Sequence, residues 1–288
     1  PLNRPFEPAP LEAGSVVLYS HNLLHRGNHR RDDWQTWKHN PRFMWRFWLF
    51  RTHEPRQAGT VSLPEWRGVD ELTGDDRDEA TEDLRAVWRY QDRWLRGAGP
   101  VRTAPPDEVA IDALAAQLLA TDDAGEPLRV GAGYRLGELG ADRALPVLRD
   151  ALWHERENVR RAATYGLVSL GEDATGVFLT AVDDRLRWVR KAGAFGLGEV
   201  GRLTPEVRTG LRTRLLTDTS VYVRSVAASA LGCFGRRAAA SGAHELIPDI
   251  VGDLLDSLDV EENRLGMDRA QKRSIKFVRP TDACDVCE

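Results

Sequence analysis

One pattern constrains this chain more than any other feature. It occurs four times between residues 128 and 235: LRVGAGYRLGELG (128–140), VRRAATYGLVSLG (159–171), VRKAGAFGLGEVG (189–201) and VRSVAASALGCFG (223–235). The copies align without gaps, and their closing glycines step by 31, 30 and 34 residues. Amphipathic segments separate them at 142–153, 173–184 and 205–216, and another, 244–258, follows the last copy. Apolar residues recurring at three- and four-residue steps predict helices. A period of this length with two helices per unit predicts an α-solenoid, because one helix pair cannot bury its apolar face alone and stacked pairs can.

Individual positions acquire roles in that frame. Leu136, Leu167, Leu197 and Leu231 share one register and are expected in the core. The small residues Ala162, Ala163, Ala192 and Ala227 let neighbouring helices approach closely. Gly140, Gly171, Gly201 and Gly235 can adopt the left-handed conformation that ends a helix. The second residue of each copy is Arg129, Arg160, Arg190 or Arg224. These arginines are expected to bridge to acids or carbonyls of the neighbouring repeat. The signature Val-Arg-x-x-Ala-Ala-x-x-Leu-Gly resembles that of bacterial HEAT repeats, including the short type in phycobilisome-lyase-like proteins. The resemblance implies a HEAT solenoid over residues 107–258 with a concave face for a protein partner.

The front of the chain reads differently. Residues 14–50 are GSVVLYSHNLLHRGNHRRDDWQTWKHNPRFMWRFWLF. An apolar run leads to His25 in a Leu-Leu-His-Arg-Gly-Asn turn. A charged loop follows, and then a strand-like run from Arg42 in which Phe43, Trp45, Phe47 and Leu49 alternate with Arg42, Met44, Arg46 and Trp48. Imidazole is a common ligand of non-haem Fe(II), and a guanidinium fork can hold a carboxylate with two hydrogen bonds. Residues 10–96 resemble the C-terminal half of the phytanoyl-CoA dioxygenase family of Fe(II)/2-oxoglutarate oxygenases. The resemblance implies that His25 is the distal iron ligand and that Arg42 grips 2-oxoglutarate. Arg46, on the same strand face, is the second candidate because the loop before Arg42 is longer than usual. The family's His-x-Asp ligand pair is absent: no histidine in the chain has Asp or Glu two residues later.

Only two or three strand-like runs precede the helical region, whereas a jelly roll needs about eight. The expected fold is therefore mixed: the C-terminal piece of a double-stranded β-helix in residues 1–96, then the all-α solenoid. The front of the oxygenase domain is expected to lie upstream, or else the domain has lost its iron pair. Residues 76–96 are predicted as a helix closing this first part, with Trp88 and Trp94 packing it on the barrel. Residues 97–106, GAGPVRTAPP, read as a linker, and 259–288 as a charged tail ending in Cys284-Asp-Val-Cys287. Seven of the nine tryptophans precede residue 95, so composition changes where the linker begins.

A net charge of −4 argues against a nucleic-acid binder, and no apolar run is long enough to span a bilayer. The three cysteines all follow position 230 and form no disulfide framework; a cytoplasmic protein is expected. Two functions follow. One is an oxygenase fragment that hydroxylates a small-molecule or acyl substrate with Fe(II) and 2-oxoglutarate and carries a HEAT interaction domain. The other is a non-catalytic HEAT scaffold with a degenerate oxygenase remnant. Within 107–258 no catalytic constellation stands out, and His154 and His244 read as wet helix-face residues.

Overall fold

The computed structural model describes residues 82–97, 102, 108–122, 125–200 and 202–264. The chain divides into two units, Pro1–Arg51 and Thr52–Glu288, and every described residue belongs to the second. Among the described residues there are ten α-helices and no strand. The predicted jelly-roll strands at 15–20 and 42–51 and the tail from 265 onward lie outside the described residues.

The helices alternate between two layers. One layer holds α1 (Glu82–Leu95), α3 (Glu126–Glu138), α5 (Glu157–Leu170), α7 (Arg187–Val200) and α9 (Val221–Ser241). The other holds α2 (Glu108–Leu119), α4 (Ala141–Leu152), α6 (Thr175–Val182), α8 (Pro205–Thr217) and α10 (Ile247–Arg264). The odd helices pack in succession, and α2, α4, α6 and α8 each pack on the odd helix that follows. The four aligned segments thus lie on α3, α5, α7 and α9, and each helix begins two residues before its Leu/Val-Arg. Leu136, Leu167, Leu197 and Leu231 are each 0% exposed and belong to one continuous apolar core. Burying such a side chain contributes about 1.5–3 kcal/mol, and a repeated leucine spreads that term evenly along the stack.

The turns before α5, α7 and α9 are built by one recurring device. Six residues before the repeat arginine, a side chain accepts a backbone N–H from two residues on. His154 Nδ1 accepts from Arg156 at 3.1 Å, Asp184 Oδ1 from Leu186 at 2.7 Å, and Asp218 Oδ1 from Ser220 at 2.8 Å. The carbonyl of that same residue accepts from the arginine: Arg160 to His154 O at 2.7 Å, Arg190 to Asp184 O at 3.0 Å, Arg224 to Asp218 O at 3.0 Å. Arg129 grips different carbonyls of the turn before α3, donating to Ala120 O at 2.5 Å and Asp122 O at 2.6 Å. A turn has few internal hydrogen bonds, so an adjacent guanidinium satisfies carbonyls that would otherwise need water. His154 is therefore a turn residue, not a helix-face residue.

Those arginines partly correct the sequence expectation. All four grip carbonyls of the turn leading into their own helix. Two also cross to the next unit: Arg190 clamps Asp218 with two bonds, 2.5 and 2.9 Å, and Arg224 clamps Glu261. Trp153 Nε1 extends the ladder one step back, donating to Asp184 at 2.8 Å.

Close approach of α3 and α5 depends on two glycines. A Cβ on Gly133 would lie 2.6 Å from Ala162 O, and one on Gly166 would lie 2.6 Å from Gly133 O. Neither obstacle is a flexible side chain. Gly140 and Gly171 follow α3 and α5 with φ of +87° and +70°, as predicted for helix-ending glycines. Gly235 does not end its helix. The sequence beyond it, RRAAA, consists of strong helix formers, so α9 continues to Ser241 and stops at Gly242, whose φ is +82°.

Three boundaries also shift. Helix α1 was grouped by sequence with the N-terminal part; it packs on α3 of the solenoid. A Cβ on Gly131 would lie 2.2 Å from Asp83 Cβ, Arg89 makes two bonds to Glu138 at 2.8 and 2.9 Å, and Tyr90 lies 5.0 Å from the Tyr134 ring. Ala86 and Val87 join the core, Trp88 is half-buried, and Trp94 is largely exposed. Within the segment read as a linker, Arg102 donates to Gly137 O at 3.0 Å and Leu170 O at 3.4 Å, near the C-terminal ends of α3 and α5. A cation suits the negative end of a helix dipole. Finally, α10 runs six residues into the predicted tail, ending at Arg264 rather than 258.

Candidate protein-interaction face

Both layers expose large apolar side chains, Val221 and Tyr222 on α9 in one and Val251, Leu255 and Leu258 on α10 in the other, but among the described residues only the odd helices add clustered aromatic rings. Two sets of rings lie on the odd helices. Tyr90, Tyr134 and Tyr165 come from successive odd helices, with Tyr134 and Tyr165 stacked at 6.3 Å and 15°. Tyr134, Tyr165 and Phe195 hold the same register position in their repeats. Tyr134 is buried; loss of water first, and then its neighbours Tyr90, Tyr165 and Glu199, push its hydroxyl well above the ordinary value, so it stays neutral. A second pair, Trp188 on α7 and Tyr222 on α9, lies at 6.1 Å and 32°. Tyr222 is 46% exposed, Val221 beside it 56%, and Leu186 46%.

Cations accompany this second pair. The Arg187 guanidinium lies 4.4 Å from the Trp188 ring. The Lys191 ammonium lies 5.9 Å from Trp188 and 5.7 Å from Tyr222. A ring face is the negative pole of its quadrupole, which places cations there. Between α5 and α7 a shallow cleft opens, lined by Glu157, Arg160, Arg161, Thr164, Trp188, Lys191, Ala192 and Phe195. Arg161 reaches back to Glu126 on α3 at 2.5 Å. Burial lowers the Arg160 pKa, which Glu157 partly offsets, yet a guanidinium remains charged.

The opposite layer ends in an acidic helix. Asp249, Asp253 and Asp256 of α10 pair with Arg208 and Arg212 of α8. There the charges of both signs meet within the layer. On α5, α7 and α9 the cations outnumber the acids, which are Glu157 and Glu199 alone.

The sequence-predicted site residues fall elsewhere. His25, Arg42 and Arg46 lie outside the described residues. Among the described residues, no group of three or more His, Cys, Asp or Glu side chains could hold a metal ion. Cys284 and Cys287 also lie outside, and Cys233, on α9, is partly exposed and its Sγ accepts from Arg236 at 2.9 Å. Sequence reasoning passed over Trp188 and Tyr222, although the signal was present. Each immediately precedes the Val-Arg of its copy, where the first two copies carry Pro127 and Asn158.

Stacked helix pairs with a repeated core residue and a repeated turn clamp define a repeat solenoid. The family model for HEAT repeats matches residues 111–198 and again residues 154–232, so this part of the chain carries HEAT repeats. That match lies outside residues 10–96, where the oxygenase resemblance was drawn. No curated protein is matched by the sequence. Among the described residues, no helix is long and apolar enough to cross a membrane.

Proposed function

We propose that this chain is an interaction scaffold whose odd-numbered helices dock a protein partner, with no catalytic role for the solenoid. The observation that carries the reading is the Trp188–Tyr222 pair at 6.1 Å beside exposed Val221 and Leu186. Trp, Tyr and Arg dominate the energetics of protein interfaces because they bury large areas with few rotatable bonds. In a monomer such rings more often sit in the core. One register leucine per repeat, Leu136, Leu167, Leu197 or Leu231, already anchors the core, so the packing does not require these rings at the surface.

The oxygenase reading of residues 10–96 remains a proposal from sequence. If the upstream ligands exist, His25 would hold iron and Arg42 or Arg46 the co-substrate carboxylate.

The scaffold reading is tested by site-specific photo-crosslinking in an extract of the cells that make the protein. A photoreactive residue replaces Tyr222 in one protein and the exposed Leu119 of α2 in another. A discrete adduct from position 222, lost when Trp188→Ala is added and absent from position 119, supports docking on the odd-helix face. Equal labelling from both positions overturns it.

A further inference from the structure

We propose that the cleft between α5 and α7 receives an acidic segment of the protein partner, rich in Asp or Glu and anchored by one apolar side chain. This rests on the scaffold reading and names the class of partner.

The first ground is charge. The cleft is lined by Arg160, Arg161 and Lys191 against the single acid Glu157. Arg160 already donates to His154 O and Glu155 O, and Arg161 to Glu126, so these two supply field more than open hydrogen bonds. Lys191 is a buried ammonium held between the Trp188 and Tyr222 rings. A charge with little water around it acts more strongly on an approaching anion.

The second ground is geometry. Arg187 is exposed, and among the described residues no carboxylate pairs with it. Its guanidinium lies 4.4 Å from the Trp188 ring. A guanidinium can give a carboxylate two parallel bonds. Contact with the ring also removes some of the rotamer freedom that an exposed arginine would lose on binding. The apolar anchor has a place beside it, on the exposed Tyr222 and Val221.

A nucleic acid would use the same charge but needs open ring faces on which bases stack. Here Arg187 lies on the Trp188 ring and Lys191 lies over both rings, so acidic protein is the better fit.

The test uses the full chain and fluorescence anisotropy. The probes are a short labelled peptide of glutamates around one phenylalanine, the same peptide with glutamines, and a labelled oligothymidine. Saturable binding of the glutamate peptide is expected, weakened about tenfold or more by Arg187→Glu and by Trp188→Ala, since a charge-assisted bond lost there accounts for about that factor. Arg187→Lys should fall between. Unchanged circular dichroism keeps each variant interpretable. Equal binding of the glutamine peptide, indifference to Arg187→Glu, or no saturation by about 1 mM glutamate peptide overturns the proposal. Tighter, Arg187-dependent binding of the oligothymidine overturns it in favour of nucleic acid. If the crosslink from position 222 persists while the glutamate peptide fails, the partner class is wrong and the scaffold reading stands. If the crosslink fails too, both fall.

Discussion

Asp218 should be among the most consequential charged residues of the solenoid. Its carboxylate is almost fully buried in the turn before α9 and accepts from Arg190 Nε at 2.5 Å, Arg190 Nη2 at 2.9 Å and Ser220 N at 2.8 Å, with Arg214 at 3.7 Å. Asp218→Ala would leave Arg190 buried with only the carbonyls of Asp184 and Arg185 as partners. Breaking a buried pair from one side costs about 3–5 kcal/mol. In a chain of this size that lowers the melting temperature by roughly 6–20 °C. The exposed pair Arg149–Asp150 is the control, and Asp150→Ala should change stability by under about 1 kcal/mol. Adding Arg190→Met to Asp218→Ala should recover part of the loss, because the stranded charge is removed and the turn carbonyls lie near water. The pH dependence has a definite sign. Burial alone raises the Asp218 pKa, but the Arg190 and Ser220 hydrogen bonds and the charges of Arg190 and Arg214 outweigh it, leaving the value below that of an ordinary aspartate. A depressed carboxyl pKa contributes stability above the unfolded value of about 3.9, and the contribution is lost as pH falls through the folded value. The gap between wild type and Asp218→Ala in urea unfolding should therefore be widest near neutrality and shrink below about pH 4. A loss under about 1 kcal/mol at pH 7, or a gap that does not shrink in acid, would refute the clamp.

Further outcomes follow from the same structure. Leu167→Ala should cost about 2–5 kcal/mol in urea unfolding, since the side chain is fully buried. Thr204 accepts from Val207 N at 3.3 Å and precedes Pro205 at the start of α8, so Thr204→Ala should cost about 1 kcal/mol by the same assay. A fragment of residues 82–264 should melt cooperatively and well above one of residues 107–264, because α1 contributes Ala86 and Val87 to the core; equal melting temperatures would detach α1 from the solenoid. The purified chain, supplied with Fe(II) and 2-oxoglutarate, should release no succinate, since it offers one credible iron ligand where a facial triad needs three.

The repeat region was legible because its signal is local and recurs. Leu167 reads as core from its register alone, and the four Val/Leu-Arg pairs place each odd helix within two residues. Most of what failed depended on contacts between distant segments, Gly235 being the exception. Gly235 looks like Gly171 in the alignment, yet only the alanine-rich sequence after it decides that α9 continues. The arginines read correctly as structural, but the sequence does not reveal that Arg160 turns back to His154 O while Arg190 crosses to Asp218. The contact of helix α1 with α3 was not legible because its amphipathic pattern shows that it packs, not on what. The face itself was missed for a related reason: Trp188 and Tyr222 lie 34 residues apart and meet only when α7 and α9 stack.

The central claim is that the odd-helix layer is the docking surface. Hydrogen exchange of the full chain, measured with and without the partner recovered through the position-222 crosslink, tests it most directly. Slowed exchange confined to α5, α7, α9 and the turns that Arg160, Arg190 and Arg224 clamp is the predicted result. Protection centred on α4, α6 and α8, with the odd helices unchanged, would contradict it.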